Sequence, residues 1–304
     1  MLEKSETPEL PAFKLSVADA RAALHDPKTV AKVAFLLVVL LGVIYAISEK
    51  YPIGVDWRYT FGPLWHHWRD PFDIPGLANP PWVIFLMPHS ILPLKLSNAI
   101  NLLLNITVPA ILVGKYWAKQ GPKTFIPLLL MLYTFPPFID LVRTNNIEWV
   151  PILAFMLPAQ WAIATLALKP QSVGGAALIW WKKSKFSLRV LLPLIFFVVF
   201  SFVVWGLWYE RIDWEIVRKP WEAANFSPFP YMIPVGLYML YKAYRTEDDV
   251  LAGVATPLLT PYYAGYGLFP VLVILTTKYR REAFYFYVGM WLYFIVEAKR
   301  RGII

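Results

Sequence analysis

Three aspartates stand close together after the first apolar run: Asp56 in GVDWRY, and Asp70 and Asp73 in RDPFD. A carboxylate near a membrane surface can take a proton from an incoming hydroxyl or coordinate a divalent ion. Their spacing matches no fixed ligand motif, so on chemistry alone each also reads as a hydrated loop carboxylate. His66-His67 lies between them, but adjacent histidines rarely point the same way, and no metal site is expected there. Lys169, in LALKPQ, is more informative because it lies inside a long apolar region. An ammonium buried in lipid is costly and must snorkel or meet a partner. A lipid phosphate is one such partner, with or without chemistry.

Two further polar sets accompany these residues. Arg143, Asn145, Asn146 and Glu148 cluster between apolar runs, and Gln171 follows Lys169. Asn98, Asn101 and Asn105 fall on one helical face, at i, i+3 and i+7. Such a stripe either bonds helix to helix or lines a polar cavity; Asn146, Glu148 and Gln171 are candidates for the same cavity.

The elements that must position these groups are membrane helices. Of 304 residues, 58% are hydrophobic, 17% aromatic and only 16% charged, which is too apolar for a soluble domain and too aromatic for a disordered one. Continuous apolar runs approach the roughly 20 residues that cross a bilayer as a helix, and exclude a membrane barrel of alternating strands. There is no cysteine, which removes disulfides and thiolate chemistry. The net charge of +9 comes from basic residues at the ends of apolar runs. That pattern indicates lipid headgroups as partners, not nucleic acid.

The expected architecture is an all-α polytopic bundle of eight to ten helical segments in one domain, residues 30–298. A segment 1–29 with a short interfacial helix precedes it, and a tail 299–304 follows. Lys14, Arg21, Lys28 and Lys32 precede the first span and predict a cytoplasmic N-terminus in the cell membrane. The loop 49–79 is then extracytoplasmic, and its Trp, Tyr and Pro content predicts that it packs back on the helix ends. Lys115, Lys119 and Lys123 return to the cytoplasm only if Pro81–Gly114 makes one net crossing, with a break near Pro88 and Pro93. Lys182, Lys183, Lys185 and Arg189 mark a cytoplasmic loop, and 209–228 an outer one. Lys299-Arg300-Arg301 does not fit this alternation.

The order of several segments resembles the GT-C class of polytopic glycosyltransferases, most nearly the GT87 group related to polyprenyl-phosphate-mannose-dependent mannosyltransferases. The likeness rests on VDWRY, NPPWVIFLMPHSILP, NNIEWVPILAF, LALKPQ, NFSPFPYMIP and ATPLLTPYYAGYGLFPVLVI, in that order across roughly residues 30–280. The chain departs from the family at Asn145-Asn146, where a Gly-Gln or Gly-Asn pair is common, and it is short. The resemblance implies a GT-C-like bundle with a structured first outer loop. It also implies transfer of a sugar from a polyprenyl phosphate to an extracytoplasmic acceptor, with inversion. Asp56 matches the acidic residue of the first outer loop that is the family's catalytic candidate, expected to act as base, and Asp70 is the second catalytic candidate. Lys169 and Arg143 are candidates for the donor phosphate. No particular cofactor is implied, and a divalent cation shared by the two aspartates is left open. The competing reading is a noncatalytic scaffold that uses the same aromatic surfaces to bind partners in a membrane complex. A transporter is disfavoured because no inverted repeat is visible.

Overall fold

The computed structural model describes residues 26–51, 54–215 and 225–300. The expected interfacial helix before Asp26 and the last residues of the basic tail lie outside them. Helices are the only regular secondary structure among the described residues, with no strand.

Helix α1, Pro27–Lys50, starts on Asp26, whose carboxylate accepts from the Lys28 and Thr29 amides, with Pro27 at the first helical position. It is almost wholly apolar and almost wholly exposed. Such a surface cannot face water over this length, and it places the protein in a bilayer. Three helices are long and apolar enough to cross one, within Pro27–Ser48, Leu94–Gln120 and Leu188–Trp205. A fourth results if Pro122–Tyr133 and Pro136–Thr144, bent by 58°, count as a single span. Length and composition thus give three or four candidate spans among the described residues, beside a larger set of shorter helices.

Gly54–Pro93 is not a tail. It folds into a π-helical turn, Trp57–Phe61, and three 3-10 turns at Pro71–Asp73, Pro81–Leu86 and Pro88–Ile91. Proline opens each of the 3-10 turns because its fixed φ suits a first helical position. As the aromatic content predicts, the loop packs back on the bundle. Trp57 is fully buried, Phe72 stacks on Trp208, and Trp82 on Phe197. Trp65 is half-buried and Trp68 is exposed.

One long helix follows, α2, Leu94–Trp117, so the chain crosses once after the break at Pro88 and Pro93. It runs back along α1, with Ile44 against Ala99 and Leu102. Helices α3, Pro122–Tyr133, and α4, Pro136–Thr144, return to the level of Gly54. Next come α5, Trp149–Ala154, and α6, Ala159–Leu166, which pack on each other across the break at Pro158. The two ends of this pair meet in the Glu148–Lys169 ion pair, so the segment dips inward and comes back. Short α7, Pro170–Val173, leads into α8, Gly175–Lys183, and α9, Leu192–Trp205. A hairpin of α10, Ile233–Thr246, and α11, Asp249–Leu259, then packs on α8. Helices α12, Leu268–Lys278, and α13, Arg280–Arg300, complete the bundle.

The basic helix ends share one end of the bundle. Trp117 Nε1 donates to the Thr276 carbonyl, Lys182 pairs with Glu247, Lys183 with Asp249, and Lys278 with Asp248. Arg280 lies over the Trp117 ring. Helix α13 runs from there to the opposite end, where Phe294 stacks on Phe226, so Lys299 and Arg300 lie away from the other basic clusters.

Candidate functional site

The segment that carries Asp56 passes over α2 at Gly54. Gly54 has φ +89°, and a Cβ there would overlap the Asn98 side chain. Only glycine combines that dihedral with so close an approach. Its amide donates to the Arg143 carbonyl at 2.9 Å, which ties the loop to the end of α4. Two residues later Asp56 is fixed from behind by Trp57, whose Nε1 donates to Ser97 Oγ at 2.9 Å. The Trp57 ring stacks on His89 at 4.7 Å, and burial pushes the His89 imidazole down to about 4, leaving it neutral.

The opposite wall is the segment between α4 and α5. Asn145 ends α4 at φ 51°, the left-handed conformation that Asn and Gly tolerate best. Three asparagines of α2 hold this turn. Asn145 Nδ2 donates to the Asn98 carbonyl and Oδ1, at 2.7 and 2.8 Å. Asn101 Nδ2 donates to the Asn145 carbonyl and Oδ1, and Asn105 Nδ2 to the Asn146 carbonyl at 2.7 Å. Trp149 closes the set, its Nε1 donating to Asn101 Oδ1 and its amide to Asn105 Oδ1. Asn98, Asn101 and Asn105 are buried to within 2% of full burial. They therefore join a helix to a loop, and they do not line the cavities described below. A buried network in which every amide finds partners rigidifies its surroundings.

What the network positions is Asn146. Its Nδ2 donates to Asp56 Oδ2 at 2.7 Å and to the Tyr266 hydroxyl at 3.1 Å. Its Oδ1 accepts from Lys169 Nζ at 2.6 Å. Lys169 is 6% exposed, lies over the Tyr266 ring at 5.2 Å and is paired with fully buried Glu148, whose other oxygen accepts from Ser172. One neutral amide thus separates the Asp56 carboxylate from an ammonium whose charge is already met. Asp56 itself is half-buried. Burial raises its pKa above the ordinary carboxylate range, and the Asn146 and Lys169 contacts only partly offset that. A carboxylate so tuned is a better proton acceptor than one in water.

Two cavities adjoin the site. A small polar one of about 30 Å³, room for one water, is bounded by Glu148, Lys169, Ser172 and Tyr266. A larger one of about 430 Å³ is walled by Trp208, Tyr209, Trp214, Pro170 and Pro261. Gln171 and Tyr262 belong to both walls. An apolar, aromatic cavity with a few converging polar groups is the usual form of a small-molecule site.

Asp56, Asn146, Glu148, Lys169 and Gln171 are therefore brought together, and the remaining two candidates are not. Asp70 pairs with Arg211, away from Asp56. Arg143 approaches through its carbonyl, while its side chain is 68% exposed and paired with Asp140 at 2.8 Å. Tyr262, Tyr266 and Ser172 join the site without having been singled out as candidates. The YYAGYG run was the available signal for the two tyrosines. Among the described residues no group of three or more His, Asp or Glu gathers to hold a metal ion. Comparison with protein-family models, curated proteins and solved structures found no match to this chain.

Proposed function

We propose that the chain is a membrane glycosyltransferase that moves a sugar, mannose being the first candidate, from a polyprenyl phosphate to an extracytoplasmic acceptor. Asp56 is the base. The observation that carries this reading is a half-buried carboxylate with raised proton affinity, held by Asn146, which also bonds to Lys169 and Tyr266 on the wall of the small polar cavity. It lies at the end of the bundle opposite Lys115–Lys123 and Lys182–Arg189, which the positive-inside bias assigns to the cytoplasm. In the transfer, Asp56 takes the proton of the acceptor hydroxyl, and that oxygen attacks the anomeric carbon. The bond from that carbon to the phosphate oxygen breaks, and polyprenyl phosphate leaves with the electron pair. Attack opposite the leaving group inverts the anomeric centre. The cavity of about 430 Å³ offers apolar walls for the donor. Lys169, with Gln171 at the shared wall, is the group offered to its phosphate. Asn145 is a conservative departure from the family, since its left-handed turn is one that glycine fills as readily.

The pairing of Lys169 with Glu148 favours the second reading, a noncatalytic GT-C-like subunit of a membrane complex, because a phosphate would meet an ammonium already neutralised. Release of polyprenyl phosphate by the purified protein, given a polyprenyl-phosphate sugar and acceptor lipids, separates the two. Turnover that depends on the protein supports the transferase; its absence from folded protein supports the subunit. Orientation has its own test, because the chain has no cysteine. Single cysteines at Ser184 and Ser227 in intact cells should be labelled only at Ser227, and the reverse pattern would place Asp56 in the cytoplasm.

A further inference from the structure

Helices α3 and α13 leave an open groove of about 760 Å³ between them at the basic end of the bundle. Its walls are apolar: Pro127, Leu128, Leu130 and Met131 on one side, Phe284 on the other. At its mouth stand Lys123, the second residue of α3, and Arg280 and Arg281, the first two of α13. All three are exposed, no acidic side chain lines the groove, and among the described residues none of the three is in an ion pair. Arg280 is aimed by its stacking over Trp117 at 4.3 Å, and Arg281 by a bond to the Tyr285 hydroxyl at 2.8 Å. At the far end Thr134 Oγ1 and the Tyr287 hydroxyl, 2.9 Å apart, satisfy each other and form a floor.

The depth is as telling as the charge. Lys123 to Thr134 is eleven helical residues, or about 17 Å at 1.5 Å per residue. Half of a bilayer's hydrocarbon core is about 15 Å. A groove with cations at the headgroup level and a floor at the bilayer midplane has the dimensions of one lipid leaflet.

We propose that this groove binds one anionic phospholipid of the leaflet at the basic end. Its phosphate is held by Lys123, Arg280 and Arg281, and its acyl chains lie along Pro127–Thr134. The site is at the opposite end of the bundle from Asp56 and shares no residue with either cavity there. Asp56→Asn should therefore leave it unchanged, and it stands whether or not the chain transfers sugar.

Native mass spectrometry of the full chain in detergent, titrated with dioleoyl phosphatidylglycerol or dioleoyl phosphatidylcholine, tests this. One phosphatidylglycerol should be retained at concentrations where phosphatidylcholine is not, and glycerol phosphate without acyl chains should not displace it. Each basic residue beside an anionic headgroup contributes roughly fivefold, so Lys123→Gln, Arg280→Gln and Arg281→Gln together should weaken retention about 100-fold. Arg189→Gln, an exposed charge outside the groove, should leave it unchanged. Leu130→Trp, at a wall position that is 59% exposed, should exclude the chains while keeping every charge, and it decides the matter if the triple variant loses its fold. Equal retention of the two lipids, or undiminished phosphatidylglycerol binding in a folded triple variant or in Leu130→Trp, overturns the proposal. Displacement by glycerol phosphate alone would reduce it to a surface anion site and overturns it as well.

Discussion

Asp56 and Asp70 lie in one loop and have similar neighbours in the chain. Asp56 precedes Trp57-Arg58, and Asp70 follows Trp68-Arg69. Their surroundings are opposite. Trp57 is fully buried, with its indole nitrogen bonded to α2, whereas Trp68 is 47% exposed. Asp56 consequently meets a neutral amide inside a buried network, and Asp70 meets the half-exposed guanidinium of Arg211. The adjacent tryptophan, inserted or left at the surface, decides which carboxylate is held in low dielectric and which becomes a surface ion pair. Similar neighbours in the chain thus give two different surroundings, a buried amide network for Asp56 and a surface ion pair for Asp70.

That contrast can be broken at several points, and the steps differ in size. Glu148→Ala leaves the Lys169 ammonium buried without its carboxylate, and breaking a buried pair costs about 3–5 kcal/mol. Thermal unfolding in detergent should show the largest loss of any variant named here; a loss below 1 kcal/mol would mean that Lys169 reaches water. Gly54→Ala should cost about 1–3 kcal/mol, because alanine is strained at φ +89° and its methyl group meets Asn98. Partial rescue by Asn98→Ala in the same background checks that the clash is the cause. Arg211→Gln, on the Asp70 side, should change stability by less than about 1 kcal/mol, as expected of an ion pair with its arginine 44% exposed. A larger loss would erase the distinction between the two aspartates.

Much of the scaffold was legible in the sequence. The Pro88 and Pro93 break and the single crossing after it followed from a cytoplasmic N-terminus and from Lys115, Lys119 and Lys123 needing to return to that side. The spacing of Asn98, Asn101 and Asn105 announced a buried polar face, and Lys169 announced a partner. The partners themselves were not legible. The amides bond to a turn about 45 residues away, and Lys169 meets Glu148 across a hairpin whose depth no periodicity encodes. Arg143 and Asp70 show the same limit from the other side. Both sit in polar segments beside residues that the fold does gather around Asn146, but a side chain at the end of a short helix or in a loop can point either way. Helical segments were legible, but which of them are candidate spans was not, because prolines at 136, 158 and 170 divide the apolar stretches into helices too short to cross a bilayer singly.

The pH response of Asp56 follows from its raised pKa. The folded state holds this proton more tightly than the unfolded chain does. The group therefore favours folding below the unfolded carboxylate pKa, and that contribution is lost as pH rises through the folded value. Asp56→Asn should accordingly fold at neutral pH at least as well as the parent. Turnover, which needs the carboxylate ionised, should disappear as pH falls through the same raised value. The most direct measurement is the transfer rate of Asp56→Asn and Asp70→Asn beside the parent, each with a parental elution profile. A fall of about 10²–10⁴ for Asp56→Asn, the usual worth of a general base, with Asp70→Asn within a few-fold of the parent, is the predicted result. Equal rates for the two folded variants would contradict the assignment of Asp56 as the base.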